Sequence, residues 1–577
     1  MNSAQVGPDS VLEAGPPWRR RLHAVVLDPD GGTARHYWRD LDRPDRWWQR
    51  GEALPAAVTG PGRLDREGGA VVARVRTADG VRSFRLAVGG ARMGPLKRWL
   101  SLSKPRADTK PANPGTWVPA PDRPGTPSPV QRPHRLVDEE GSIYHEVLRA
   151  PAAGWPGGWW RVGCLRVVEE PAVRLPQESV RIAQVSGETD PQPTPWGERR
   201  PTLGRSLSTA GIRGTDLGVR VDTGGRSLLL CGDTHWQRRP WLATRDAIAE
   251  VLGDGPDGLP RVRFHGSPLR LRGGGATSRE YDVPLDAFSH AGRLYACFSS
   301  NHFRNARVMG RSVLARAVDP AFAIDPAARH RPVDFTVLGT FSAGEFVNVS
   351  VHHDGDTLWL WGSGPYRAGH LRLARLDLAA SGLAGLPAAT GRRTEVAAAL
   401  GVRYWNPAGW RTDEADAAPL LRGAWGEVSV RWVPELGRYL LLGTTGPEDA
   451  DGPAVMLRTA TDPWGPWSGR LRLLDWLTSG RSADRFTRFL HTAADDGLGD
   501  RVFRAQARAL GAAYAPYLFD ARVEGDDLVL RYTLSTWNPY QVALLRHRVA
   551  LADLAAAAPE GPLPAPVGCP GLWREDR

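Results

Sequence analysis

The chain has 577 residues, 41% of them hydrophobic and 24% charged, and a formal net charge of +11. That length suits two to four domains, and that balance suits globular folding rather than disorder. No stretch is apolar for long enough to span a membrane, and the scattered positive charge has no helix-turn-helix, zinc-finger or RNA-binding signature beside it, which argues against specific nucleic-acid binding.

Gly 65 and Pro 49 are spread along the chain and favour many short strands and turns. The four cysteines, Cys164, Cys231, Cys297 and Cys569, form no CxxC pair. Neither a zinc site nor a disulfide framework is expected, and no cofactor motif stands out. The N-terminus, MNSAQVGPDSVLEAGPPWRRR, lacks the apolar run of a signal peptide, and residues 1–17 read as a loose tail.

Residues 18–177 read as a smaller β-rich module. LHAVVLDPDGGTARHYWRD is two apolar-alternating runs around a DPDGG turn, and GAVVARVRTADGVRSFRLAV repeats the design around ADG. A Pro-rich insert over about 98–133 is expected to form no regular element. HRLVDEEGSIYHEVLRA is a third hairpin, followed by the Trp-rich GWPGGWWRVGCLRVV. A hairpin followed by a Trp-rich segment loosely resembles sugar-binding propeller lectins, although such tryptophans more often pack a core.

From about residue 178 to 577 one layout recurs: a strand, a turn, then a strongly apolar strand ending in small polar residues. It occurs at 215–234, 281–301, 345–364, 426–446 and 514–538. A further strand-like run follows four of the five, as SVLARAVD, HLRLARLDL, AVMLRTATDP and YQVALLRHRVAL; the first is followed by WLATRDAIAEVL, which reads as a helix. Five such units predict an all-β fold, a five-bladed β-propeller over about 178–552.

The first unit, TDLGVRVDTGGRSLLLCGDTHW, holds Asp216 and Asp233 at equal distances from the Gly224–Gly225 step. If these glycines make the turn, the two aspartates are opposed across the hairpin, with Cβ atoms about 4.5–5.5 Å apart. Both then lie at one mouth of the central channel, where propellers bind ligands. Carboxylates that close titrate as a unit, one protonated and one ionised near neutrality, which is what glycoside hydrolysis needs. The same acids could instead cap turns.

Asp282, Asn348 and Glu427, with Glu345, lie near the starts of inner strands at the same mouth. His235, Trp236, Asn301, His302, Trp537 and Asn538 follow the ends of second strands. These are candidate substrate contacts. Glu427 could bind sugar hydroxyls, tune the aspartate pair, or pair with an interior arginine such as Arg458. Trp236 and Trp537 could stack on a furanose ring or pack a blade edge. His352 and His353 fall at the far turn of their hairpin and are discounted.

TDLG…GDT, EFVNVSV…LWLWGSGPYR, GEVSVRW, LRTATDPWGPWS and STWNPYQV, in that order over about 178–552, resemble the bacterial "domain of unknown function 4185" family, which includes the endo-D-arabinanases of glycoside hydrolase family 183. The resemblance implies a five-bladed propeller that cuts α-linked D-arabinofuranose chains of mycobacterial arabinogalactan and lipoarabinomannan. A polysaccharide or oligosaccharide is then the partner. It further implies that the catalytic acids are those of the TDLG-like and GDT-like phrases, here Asp216 and Asp233. The extra N-terminal module and the lack of a visible signal peptide depart from that pattern. The competing reading is a propeller that binds glycans or proteins without catalysis.

Overall fold

A computed structural model describes residues 6, 10–14, 20–28, 32–40, 48–67, 70–87, 116–120, 134–139, 142–149, 158–167, 169–192, 199–237, 245–279, 281–302, 309–364, 367, 369–446, 449, 451–484, 487–492, 498 and 510–557. The fold is all-β, and the chain divides into a smaller unit made mainly of residues before 169 and a larger unit made mainly of those from Glu169 onward.

In the smaller unit the three expected hairpins form. Arg21–Leu27 pairs with Thr33–Asp40, Ala70–Thr77 with Gly80–Ala87, and His134–Glu139 with Ser142–Arg149. Two expectations fail. The tail contains a strand, Val11–Ala14, whose Val11 lies opposite Ala24. The Pro-rich insert contains another, Thr116–Ala120, paired with Gly80–Ala87. The Thr-Trp-Val run there has strong β-preference, and Pro119 is tolerated because the strand is at a sheet edge. The rest of the insert and the DPDGG turn lie outside the described residues. Trp38 and Trp48 are buried, whereas Trp159 of the Trp-rich segment is exposed.

In the larger unit each of the five repeats becomes the first two strands of a separate sheet. The leading strands are Ile212–Thr223, Pro284–His290, Asn348–Asp354, Ser429–Val433 and Ala513–Glu524. Each sheet then continues outward as an antiparallel meander. The AIAEVL half of the expected helix is a strand, Ala247–Asp254, with Ala247 opposite Cys231; residues 241–244 lie outside the described residues. The helix preference of its alanines and leucine is overridden by pairing with a neighbour that is buried on both faces.

The leading strands lie beside one another in a cycle, each flanked by the leading strands of two other sheets. Side chains stitch the cycle. Ser535 Oγ accepts Leu217 N–H at 2.7 Å, Ser429 Oγ accepts Leu518 N–H at 3.1 Å, and Ser350 Oγ accepts Val430 N–H at 3.0 Å. At their centre Arg431 clasps the fully buried Asp286 through both oxygens, at 2.8 and 2.9 Å. Ser350 Oγ and Val351 N–H satisfy the same carboxylate, and Arg431 also donates to the carbonyls of Val351 and Arg220. Four leading strands meet in this one joint. A buried ion pair with its polar partners satisfied fixes an arrangement more than it stabilises it.

Two short strands from the start of the unit complete sheets far along the chain. Val173–Arg174 runs parallel to Leu471–Leu474, and Val180–Gln184 runs antiparallel to Tyr540–Ala550.

Candidate functional site

The site begins with the hairpin of the first sheet. Gly224 and Gly225 have φ of +56° and +77°, the conformation a two-residue hairpin turn demands. Thr223 lies opposite Arg226, and the register runs as the spacing predicts up to Val219 opposite Leu230. There it slips by one. Leu217 and Gly218 take left-handed φ of +65° and +87°, a bulge inserts one residue, and Asp216 comes to lie opposite Gly232 rather than Asp233. The two acids are one position out of direct opposition.

The slip makes Gly232 indispensable. A Cβ there would stand 2.7 Å from Oδ1 of Asp216 and 2.6 Å from Val283. The carboxylate of Asp216 occupies the volume that the missing side chain leaves. Asp216 is only 6% exposed. Tyr514 donates its hydroxyl to Oδ2 at 2.9 Å, and the Tyr540 hydroxyl also approaches this carboxylate. Burial dominates and pushes its pKa up to about 6. The two tyrosines oppose the rise, Glu427 adds to it and Arg367 counters it.

Asp233 is equally buried and has a left-handed φ of +30°. Both of its oxygens lie 3.0 Å from the main-chain N–H of Tyr281, itself at φ +71°. A third carboxyl stands behind the pair. Asp246 is 3% exposed and its carboxyl faces the main chain of Asp233. Burial first, then Asp216 and Asp282, hold its pKa well above the usual carboxylate range.

Glu427 is an ion-paired residue, but its partner is Arg367 rather than Arg458. The Arg367 guanidinium meets both carboxylate oxygens at 3.2 Å and lies over the Tyr514 ring at 4.8 Å. Arg458 serves Glu169 and Glu170 instead. Gly426 leaves room for the arginine, whose Cγ would be 2.6 Å from a Cβ there. Glu427 and Arg367, from two loops, and Tyr514 and Asp216, from strands of two sheets, thus form a chain of contacts.

The other candidates divide. His235, its pKa lowered to about 4 by burial and then by Arg213, packs edge-on to Tyr540, as does the half-buried Trp537. Trp236 does not face the mouth. Its ring is in the core with Ile212 and Phe264, and its indole N–H donates to Arg245. Asn538 is fully buried, its carbonyl accepting His491 N–H at 2.9 Å. Asp282, 2% exposed, organises its own loop by accepting from Thr277 Oγ1 and from the N–H groups of Arg279 and His302. Asn301 has Oδ1 bonded to Arg311 at 3.0 Å. Asn348 is buried opposite Ser363, with Nδ2 unbonded. Glu345 pairs with Arg372 at 2.7 Å.

Sequence reasoning missed Asp246, Arg367, Tyr281, Tyr514 and Tyr540. Reading AIAEVL as a strand would have put Asp246 at its start, at the same mouth as Asp233. Tyr514 and Tyr540 stand at the starts of the strands Ala513–Glu524 and Tyr540–Ala550, where no charge marks them in the sequence. Among the described residues no group of three or more His, Cys, Asp or Glu is placed to hold a metal.

Residues 202–546 match the family described as "Domain of unknown function (DUF4185)". No curated protein matches the chain. Among solved structures, a putative hydrolase from Bacteroides ovatus is 14% identical with a TM-score of 0.37, covering 62% of this chain and 90% of its own. The catalytic domain of a GH62 alpha-L-arabinofuranosidase from Coprinopsis cinerea is 14% identical with a TM-score of 0.31, covering 64% and 97%. An exo-beta-1,3-galactanase from Phanerochaete chrysosporium is 12% identical with a TM-score of 0.33, covering 65% of each chain.

Proposed function

The chain belongs to the DUF4185 family, and from that premise we propose that it is a glycoside hydrolase. Its substrate is a furanose polysaccharide, D-arabinan of mycobacterial-type cell walls being the favoured class. Asp216 and Asp233 are its acid and base (or nucleophile). In this reading the five sheets are the blades of a β-propeller, the leading strands surround its axis, and the aspartates open onto one mouth.

The observation that carries the reading is the state of Asp216. Burial holds this carboxyl near pH 6 while Asp233 lies on the paired strand. A carboxyl with that affinity keeps its proton in mildly acidic solution, where an ordinary aspartate has lost it, and gives it to a departing sugar oxygen. Asp233, fixed against the Tyr281 N–H, receives the proton of an attacking water or attacks the sugar itself. The carboxylate separation decides between these, about 6.5–9.5 Å for inversion and about 5–5.5 Å for retention. Glu427 and Arg367 act on the charge of Asp216. Trp537 and His235, both against Tyr540, line the sugar path.

The test is incubation of the full chain with mycobacterial arabinogalactan, followed by oligosaccharide analysis. Wild type releases oligosaccharides, and D216N and D233N release none while keeping their fold. Binding without release would replace the reading with a non-catalytic glycan-binding propeller. Activity retained in both variants would dismiss the pair.

A further inference from the structure

The main-chain N–H of Tyr281 donates to both carboxylate oxygens of Asp233 at 3.0 Å, so whatever places Tyr281 helps to place that acid. Tyr281 is at φ +71°, a left-handed conformation that a residue with a bulky side chain seldom keeps unless its surroundings hold it. Ser299 and Asp282 supply the hold. Ser299 Oγ accepts the N–H of Val283 at 2.8 Å and lies 3.2 Å from the carbonyl of Tyr281. Asp282, the next residue along, gathers the loop. Its Oδ2 accepts the Thr277 hydroxyl at 2.6 Å and the Arg279 N–H at 3.2 Å, and its Oδ1 accepts the His302 N–H at 2.9 Å. Its own N–H donates to the Arg279 carbonyl at 2.9 Å. The Thr277 hydroxyl in turn accepts the Asn301 N–H at 3.0 Å.

We propose that Asp282 is a positioning residue for Asp233: it clasps Thr277 and Arg279 to the residues that follow the strand Arg293–Ser300, so presenting the Tyr281 N–H to the Asp233 carboxylate, and it does not touch the sugar. The inference rests on reading the mouth as a hydrolytic site.

The chemistry of the clasp separates this role from that of a sugar contact. Asp282 is 2% exposed, and each of its oxygens already accepts a hydrogen bond. Donors to a carboxylate make strong, directed bonds, and here two of the three are main-chain N–H groups. They fix the path of the chain on either side of Tyr281. A carboxylate engaged in this way has little left to offer a sugar hydroxyl.

Thr277 allows the clasp to be loosened without touching Asp282. Valine at this position removes the hydroxyl at nearly constant shape, whereas serine keeps it. The pair T277V and T277S therefore separates the hydrogen bond from the volume of the side chain.

The experiment compares wild type, D282A, T277V and T277S, each as the full chain, in amide exchange at Tyr281 and at hairpin residues 226–231, and in kcat and KM on arabinogalactan. D282A should speed exchange at Tyr281 by on the order of tenfold with the hairpin amides unchanged, and lower kcat on the order of 10²-fold with KM within about threefold of wild type. T277V should lower kcat about tenfold, and T277S should stay within about threefold of wild type. Should D282A not fold, the contrast between T277V and T277S decides. A raised KM with unchanged kcat in D282A would make Asp282 a sugar contact and overturn the proposal. So would unchanged Tyr281 exchange in D282A and T277V, exchange rising alike at Tyr281 and in the hairpin, or T277S falling as far as T277V. A wild type that cleaves no glycan overturns the hydrolase reading instead, while exchange at Tyr281 still tests the clasp.

Discussion

Tyr514 donates its hydroxyl to Oδ2 of Asp216 at 2.9 Å, and this bond favours the ionised acid against the burial that favours the neutral one. The balance sits at about 6. If Asp216 is the acid, cleavage of arabinan should fall as pH rises through that value, because the proton to be donated is lost. Y514F removes a bond to the charged form, so the alkaline limb should move upward. A hydrogen bond of about 1 kcal/mol corresponds to roughly 0.7 of a pH unit. Profiles of kcat/KM against pH check this, and an unmoved limb would separate Tyr514 from the titration.

Gly232 supports a second prediction, on geometry alone. G232A puts a methyl group 2.7 Å from Oδ1 of Asp216 and 2.6 Å from Val283. Backbone and strand pairing leave the methyl nowhere to go, so the carboxylate must give way. Activity should fall on the order of 10²-fold, since displacement of a reacting group by about 1 Å is that damaging. The variant should remain folded by circular dichroism. Near-wild-type activity would mean that Asp216 need not sit where it does.

The Arg367–Glu427 pair yields a third. Glu427 is 3% exposed, and R367M strands its charge. A broken buried pair typically destabilises by about 3–5 kcal/mol; the half-open arginine side argues for the lower end. R367M should therefore lose about 3 kcal/mol in urea unfolding, and the double variant R367M/E427Q should recover much of it. The pH profile adds a sign. Without Arg367 the remaining Glu427 charge raises the affinity of Asp216 for its proton, so the alkaline limb of R367M moves up. Additive losses in the double variant would show the two residues to be independent.

What was legible in the sequence was whatever rests on local chemistry. Gly224–Gly225 can hardly be anything but a hairpin turn, and the apolar runs that flank it sit on covered strands. The bulge was harder. It depends on Leu217 accepting a left-handed backbone beside Gly218, and only the packing of Ser535 and Thr533 from another sheet makes that worthwhile. Asp246 was hidden by a helix-like composition that tertiary pairing overrode. Trp236 is one residue from His235, yet alternation turns it into the core, and proximity in sequence misled. Arg367 lies in a loop between strands, where no periodicity announces a partner 60 residues away.

The strand Val180–Gln184 has its hydrogen-bonding partner at Tyr540–Ala550. The order of synthesis and the order of assembly are therefore opposed. As the chain leaves the ribosome, this strand emerges before all five sheets, yet it can be paired only after the last of them is made. Until then its backbone is an open edge, the kind of surface that invites pairing with a neighbouring chain. Biosynthesis of this protein should accordingly be most vulnerable to aggregation late in translation, and a stop placed before Tyr540 would leave the beginning of the larger unit, not only its end, unpaired.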